Sequence, residues 1–170
     1  MEDYGIINDF IYPKSEIKRI RKTVRAILVN DKKEIGLIHI LGKDKFGDRD
    51  HYETLGGGVN DNEDLITSLI REIKEEAGYT IKNIKPIGKI NIEYFILNRI
   101  DEGNFFYAEI DEYIGNSLED YEKEIFDKIE WFSTLEIENL YKKEVFNVGK
   151  MIHKRDYFMI NKVKELGYFD

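Results

Sequence analysis

The chain has no cysteine, few basic residues for its acidic content, and no long apolar run. Without cysteine there is no disulfide, no thiol nucleophile and no cysteine metal site, as suits a reducing compartment. Lysine and arginine number 26 against 34 aspartates and glutamates, a formal net charge of −8. That balance argues against bulk binding to nucleic acid or to an anionic membrane surface. It does not exclude a phosphorylated small substrate, because a bound cation inverts the local field. No apolar stretch approaches the roughly 20 residues of a membrane span. The opening MEDYGIINDF is acidic and lacks the basic flank and apolar run of a signal peptide. A cytoplasmic protein is therefore expected. No repeat or low-complexity linker interrupts the 170 residues. One domain is expected over 1–170, with an N-terminal segment at 1–22 and a C-terminal helical segment at 142–170.

What is present is concentrated in one stretch, GGVNDNEDLITSLIREIKEEAGY, from Gly57 to Tyr79. It opens on a glycine turn and closes on a glycine stop. A helix of about five turns is expected between them if it starts near Glu63. Asn60, Asp61, Asn62 and Asp64 can cap its start, and Gly78 fits a left-handed stop. Glu72, Glu75 and Glu76 fall within an arc of roughly 100° on that helix. Leu65, Ile66, Leu69, Ile70, Ile73 and Ala77 occupy the neighbouring arc and read as its buried face. Crowded like charges destabilise a helix flank, and a divalent cation removes the repulsion. Clustered carboxylate oxygens suit a hard ion such as Mg²⁺, with waters and substrate phosphates completing its shell. The alternative is a solvated acidic face.

The rest of the chain reads as strands before and after this helix. Thr23–Val29 and Glu34–Leu41 are expected to form a hairpin. Arg25 interrupts the first of these and either faces solvent or aims at a substrate. The basic residues between Lys14 and Lys22 are either a solvated approach to the strand or a rim that attracts phosphates. His39, in an apolar strand, reads as packed rather than catalytic. The charged, glycine-punctuated GKDKFGDRD at 42–50 reads as a mobile loop or a substrate entry. Phe10 to Tyr12 forms an edge strand or a lid. Past the helix, strands are expected near 80–84 and at 87–97, broken around Asn83 and Pro86, then a turn at 98–103 and a returning strand at 104–110. Next come an acidic loop at 116–124, a strand at 125–132 with Trp131, a short helix at 135–141, and a terminal helix at 146–166 broken near Gly149.

Read by spacing, the central stretch runs Gly57, five residues, Glu63, seven residues, Arg71-Glu72-Ile73, one residue, Glu75-Glu76, one residue, Gly78, Tyr79. This resembles the Nudix box of the MutT-like Nudix hydrolase family. Only the last position departs, with Tyr79 where an aliphatic residue is usual. The motif is long and has many fixed positions, so a chance match is improbable. Ahead of it many Nudix proteins carry an acidic residue, Leu-Pro and a glycine run. Here Glu53, Thr54 and Leu55 precede Gly56-Gly57-Gly58, without the proline.

The resemblance implies an α/β fold, an α/β/α sandwich with a mixed central sheet and a loop-helix-loop catalytic motif. It implies hydrolysis of a nucleoside diphosphate linked to another group, with Mg²⁺, or Mn²⁺ in its place. Glu72, Glu75, Glu76 and the carbonyl of Gly57 are the metal candidates, Glu63 is structural, and Arg71 orients the glutamates. A further ligand or general base is expected from the acidic loop, at Glu122 or Glu124, then Glu119. Candidate substrate contacts are Arg25, Tyr52 and Tyr94, the last at a distance beyond the box that resembles dinucleoside polyphosphate hydrolases. The proline associated with ADP-ribose hydrolases is absent there. The expected partner is a small nucleotide substrate; a homodimer is common in the family, but no feature of the sequence requires one. A non-catalytic nucleotide-sensing module is the alternative, which the full glutamate set argues against. An isoprenyl diphosphate isomerase on this fold needs a cysteine that the chain lacks.

Overall fold

The structure is a computed structural model and describes residues 1–118 and 120–169. Strands β1 (Asp3–Ile7), β2 (Arg19–Val29), β3 (Ile35–Asp44) and β4 (Gly47–Glu53) precede helix α1 (Leu65–Ala77). Strand β5 (Tyr79–Tyr94), a 3₁₀ turn at Phe95–Leu97 and strand β6 (Arg99–Tyr113) follow. Helix α2 (Asp120–Ile125), strand β7 (Phe126–Phe132) and helices α3 (Thr134–Lys142) and α4 (Gly149–Glu165) complete the described chain.

The strands form one mixed sheet in the order β1-β5-β6-β2-β3-β4, with β7 also pairing to β3. Alternation along β2 sends Val24, Ala26 and Leu28 to one face and Ile27 and Val29 to the other. The first face is covered by Leu69, Ile73 and Ala77 of α1. The second is covered by Ile137 of α3 and by Met151, Ile152, Met159, Ile160 and Val163 of α4. This is the expected α/β/α layering. Among the described residues no helix is long and apolar enough to cross a membrane.

The site is placed by a split in the sheet. β2 and β3 pair only at Leu28–Gly36 and Val29–Ile35 and then diverge. Past the split, from Ile38 on, β4 takes the edge of β3 that β2 leaves, while β7 pairs along the other edge from Ile35. The chain leaving β4 fills the wedge and pairs back onto β2. Ala26 donates its N–H to the Leu55 carbonyl at 2.9 Å and Val24 to that of Gly57 at 3.0 Å. Val59 donates to Lys22 at 3.0 Å. These bonds fix the glycine loop without the missing proline.

Several expectations are corrected. The segment 42–50 is the tip and flanks of the β3–β4 hairpin rather than a loose loop. Arg49 is buried there and its charge is paired with Asp44, to which it donates at 2.7 Å. The 80–84 and 87–97 strands are one strand, β5, whose breaks survive as register shifts at Lys82/Lys85 and Pro86/Gly88. The turn after it is shorter than expected and bends at Asn98 (φ 52°). β2 begins at Arg19, so Arg19, Arg21 and Lys22 belong to a strand paired with β6. Residues 120–125 are helical, and Gly149 opens α4 instead of breaking it. The N-terminal edge strand is β1, parallel to β5, and not residues 10–12.

His39 fastens the hairpin to β7. Its Nδ1 meets Asp127 at 2.9 Å and its Nε2 meets Asp50 at 2.8 Å. Burial opposes its charged form, but the two aspartates outweigh it and the pKa is raised. A histidine raised in the folded state stabilises fully below its unfolded pKa, and that stability is lost as pH rises through the folded value. His39→Gln is therefore expected to lower the melting temperature more at pH 6 than at pH 9. Thermal scans at the two pH values check this, and an equal loss at both contradicts the charged pairing.

Candidate active site

Local rules build α1. Asn62 takes a positive φ of 68°, and the chain turns into the helix at Asp64. The Asp64 side chain accepts from the N–H groups of Ile66 and Thr67, both at 2.9 Å. The helix thus starts at Leu65, later than Glu63, and is shorter than expected. Gly78 closes it in the left-handed conformation (φ 73°). The apolar arc is also narrower. Leu69, Ile73 and Ala77 are buried, but Ile66 and Ile70 are 38% and 42% exposed. The helix is turned so that Glu72 and Glu76 are buried in their place, against the glycine loop.

That loop and helix form one wall of a cleft of about 410 Å³. Glu72, Glu75 and Glu76 line it with Gly56, Gly57, Gly58 and Asn60. Arg21 and Arg25 come from β2, Arg49 and Glu53 from β4, Arg71 from α1 and Glu122 from α2. A larger groove of about 570 Å³ lies on α3 and α4 around Tyr141, Tyr157 and Lys154, but it has neither a carboxylate cluster nor a glycine loop.

Arg71 is the hub of the acidic wall. It donates to Glu63 at 3.0 Å, Glu72 at 2.9 Å, Glu75 at 3.0 Å and the Gly58 carbonyl at 2.9 Å. Only a planar fork reaches so many acceptors at once. Arg71 and Ser68 hold the Glu63 carboxyl down to about 2. Glu76 has a different environment. Its Oε2 accepts the Gly56 N–H at 2.7 Å, and burial pushes its pKa well above the usual value, against the pull of Arg25. Burial also raises Glu72, against Arg71. Glu53 is the contrast: burial again acts upward, but His51, Arg25 and Arg49 outweigh it and hold the carboxyl well below the usual range.

The donors fit a hard divalent cation by chemistry. Glu72, Glu75, Glu76 and Glu122 bring carboxylate oxygens to one cleft, and two of them are buried groups whose ionised form lacks full compensation. A Cβ on Gly57 would lie 2.5 Å from a Glu72 oxygen, so only glycine leaves that carboxylate its place. As the side chains stand, Arg71 engages Glu72 and Glu75. No three acidic or histidine side chains among the described residues form a ready cation cage.

The other candidates sort plainly. Arg25 is not solvent-facing: its side chain is 16% exposed, and Nη1 donates to the Thr54 carbonyl at 2.7 Å beside Glu53 at 3.6 Å. Glu122 is buried in the cleft, whereas Glu124 is exposed and lies outside its lining. Glu119 lies outside the described residues. Tyr94 is 5% exposed, packs on Phe46 and does not reach the cleft. Tyr52 is also outside it: its ring stacks on His39 and its hydroxyl donates to Glu130. Tyr79 packs edge-on against Tyr113 and Trp131, so the unusual last position of the box serves as an apolar one. Two cleft residues were missed in the sequence. Arg49 sits in the stretch that reads as a mobile loop or a substrate entry, with no residue of it singled out, and Glu53 reads only as an acidic residue ahead of the glycines. The spacing Arg49, His51, Glu53, one strand face, is the signal that would have found them.

The NUDIX domain family model matches residues 19–154, a range that holds the whole cleft. The chain belongs to the Nudix hydrolase family. The enzyme class that goes with this membership is a Nudix-type pyrophosphohydrolase. Among solved structures, a MutT protein from Methanosarcina mazei Go1 is similar with a TM-score of 0.62 and 19% identity, covering 89% of this chain and 98% of that one. An ADP compounds hydrolase has a TM-score of 0.65 and 17% identity, covering 86% and 75%. At these identities the likeness is one of fold. A curated relative, protein argonaute of Methanocaldococcus jannaschii, is 34% identical over 83 residues. That match spans 46% of this Nudix chain and only 12% of the relative's length.

Proposed function

We propose that this Nudix protein hydrolyses the diphosphate linkage of a nucleoside diphosphate joined to another group, with Mg²⁺, or Mn²⁺ in its place. The observation that carries this is the meeting in one cleft of Glu72, Glu75, Glu76 and Glu122 with Arg21, Arg25 and Arg71. The carboxylates suit the cation, and the arginines suit the phosphates. Glu72, Glu75, Glu76 and the Gly57 carbonyl would hold the metal. When bound, a divalent cation supplies charge neutralisation to the diphosphate and a lowered pKa to water.

The protein's own groups do the rest. Arg25 and Arg21 orient the phosphates from the β2 wall. Arg71 keeps Glu72 and Glu75 in place. The Gly56 N–H holds one Glu76 oxygen, which leaves the other free to face the cleft. Glu122 is the group assigned to take the proton of the attacking water. Glu122→Gln is expected to lower kcat roughly 10²-fold or more, in the range of lost general-base catalysis. Glu124→Gln, on the exposed side of α2, is expected to leave kcat within about twofold, since a distant surface charge is screened. Equal losses in the two variants would remove Glu122 from that role.

Substrates within this class are nucleoside triphosphates, dinucleoside polyphosphates and nucleotide sugars. A panel of these, assayed with Mg²⁺, with Mn²⁺ and with chelator, tests the reading by product chromatography. Metal-dependent release of a nucleotide and a phosphorylated second product is expected. Tight metal-dependent nucleotide binding with no turnover would replace the hydrolase reading with a nucleotide sensor.

A further inference from the structure

We propose that Asp156, on α4 and outside the signature, is a positioning residue that holds Arg25 on the wall of the cleft. The inference rests on the hydrolase reading and adds a residue to its machinery. Asp156 is fully buried and faces two donors. Its Oδ2 accepts the Thr54 N–H at 2.7 Å. Its Oδ1 accepts the Arg155 Nε–H at 2.6 Å. Thr54, itself fully buried, uses its carbonyl to accept Arg25 Nη1 at 2.7 Å. Both groups belong to one residue, so the anchor on its N–H side fixes the carbonyl that aims Arg25. Two residues further on, the Gly56 N–H holds Glu76. One carboxylate on the C-terminal helix thus reaches the phosphate-facing arginine through a single residue just past β4.

The chemistry of the position requires a carboxylate. Each of its oxygens meets an N–H, and no donor of its own is present to conflict. An asparagine has the same shape but one oxygen. It satisfies either Thr54 or Arg155 and turns an N–H₂ toward the other donor. Arg155 cannot swing away freely, because its guanidinium lies over the Phe105 ring at 5.5 Å in the core. The deeper surroundings are charged as well: Glu53 pairs with both Arg25 and Arg49. A structural role for Asp156 alone would dock α4 without touching the chemistry, and the two roles separate experimentally.

The test is a double-mutant cycle between Asp156→Asn and Arg25→Gln, reading kcat/KM on the best substrate and the melting temperature. If Asp156 acts through Arg25, Asp156→Asn lowers kcat/KM roughly 10- to 100-fold in the wild-type background, the scale of a small misplacement of a reacting contact. In the Arg25→Gln background the same change costs less than about threefold in kcat/KM, because a residue that acts through Arg25 has little left to lose once Arg25 is gone. Equal activity losses in both backgrounds would overturn the proposal and leave Asp156 a docking residue. If Asp156→Asn keeps wild-type activity by giving its oxygen to Thr54, Asp156→Ala, which removes both acceptors, is put through the same cycle and judged by the same two results. An inactive wild type would remove the hydrolase reading and the positioning role together; an active wild type with additive losses would remove only the latter.

Discussion

Glu76→Gln is expected to abolish turnover and, in metal-free buffer, to make the protein more stable. Both results come from the same burial. Glu76 is 4% exposed, and its carboxyl is pushed well above the usual value of 4.5 because water is excluded from it. A carboxyl raised in this way stabilises the fold fully below its unfolded pKa, and the stability is lost as pH rises through the folded value. At neutral pH the metal-free protein therefore carries a cost. A glutamine has the same shape, keeps an oxygen for the Gly56 N–H and has no charge to desolvate. The gain is on the order of 1–3 kcal/mol, the penalty of an uncompensated buried polar group. For a chain of this size that is roughly 3–10 °C. The loss of activity is expected to be 10³-fold or more on the scale of about 4 kcal/mol of transition-state stabilisation. Thermal scans from pH 5 to pH 9 with chelator check the first half, and the wild-type curve is expected to fall away from the variant's as pH rises. A variant less stable than wild type throughout would mean that the Glu76 charge is already compensated within the fold.

Alanine at Gly56 and at Gly57 is expected to fail in two different ways. Gly56 has φ 131°, a region hostile to side chains, and its added Cβ would run into the Val24 carbonyl of β2. Backbone cannot give way there without undoing the Ala26–Leu55 and Val24–Gly57 bonds that hold the loop. Gly56→Ala is expected to cost about 3 kcal/mol or more, from strain and clash together. Gly57 has no such strain. Its Cβ would meet the Glu72 carboxyl, with Oε2 at 2.5 Å and Cδ at 2.6 Å. A side-chain end can move, so Gly57→Ala is expected to stay folded, within about 1 kcal/mol of wild type, and to lose kcat through a displaced Glu72. Denaturant titration beside steady-state kinetics separates the two. If both variants lose stability and keep kcat per folded molecule, the loop is scaffolding and Glu72 is not poised by it.

The site was legible in the sequence where chemistry is local. The cap at Asp64, the stop at Gly78 and the grouping of Glu72, Glu75 and Glu76 depend on neighbours along one helix, and spacing reports them. The sandwich followed from the order of elements together with the box. What was not legible depends on contacts between distant segments. Tyr94 looks like a pocket aromatic until Phe46, 48 positions earlier, packs over it. Arg49 looks like part of a mobile loop until Asp44 pairs with it across a hairpin. Ile66 and Ile70 belong to the apolar arc by periodicity, yet the glycine loop attracts the carboxylate flank and leaves them in solvent. Asp156 carries no local signal beyond being an acid beside an arginine in a lysine-rich amphipathic helix. The different burial of Glu122 and Glu124 also needed α2, because only a helical turn sends one inward and the other out.

The central claim is that water attacks phosphorus in this cleft, with a divalent cation present. The most direct measurement is turnover of the best panel substrate in ¹⁸O-labelled water with Mg²⁺, with the products read by mass spectrometry. The account predicts a single ¹⁸O in the phosphate group of one product, none without the cation, and none above background with Glu76→Gln. Cleavage that leaves both phosphate products unlabelled, or labelling that persists in Glu76→Gln, would contradict it.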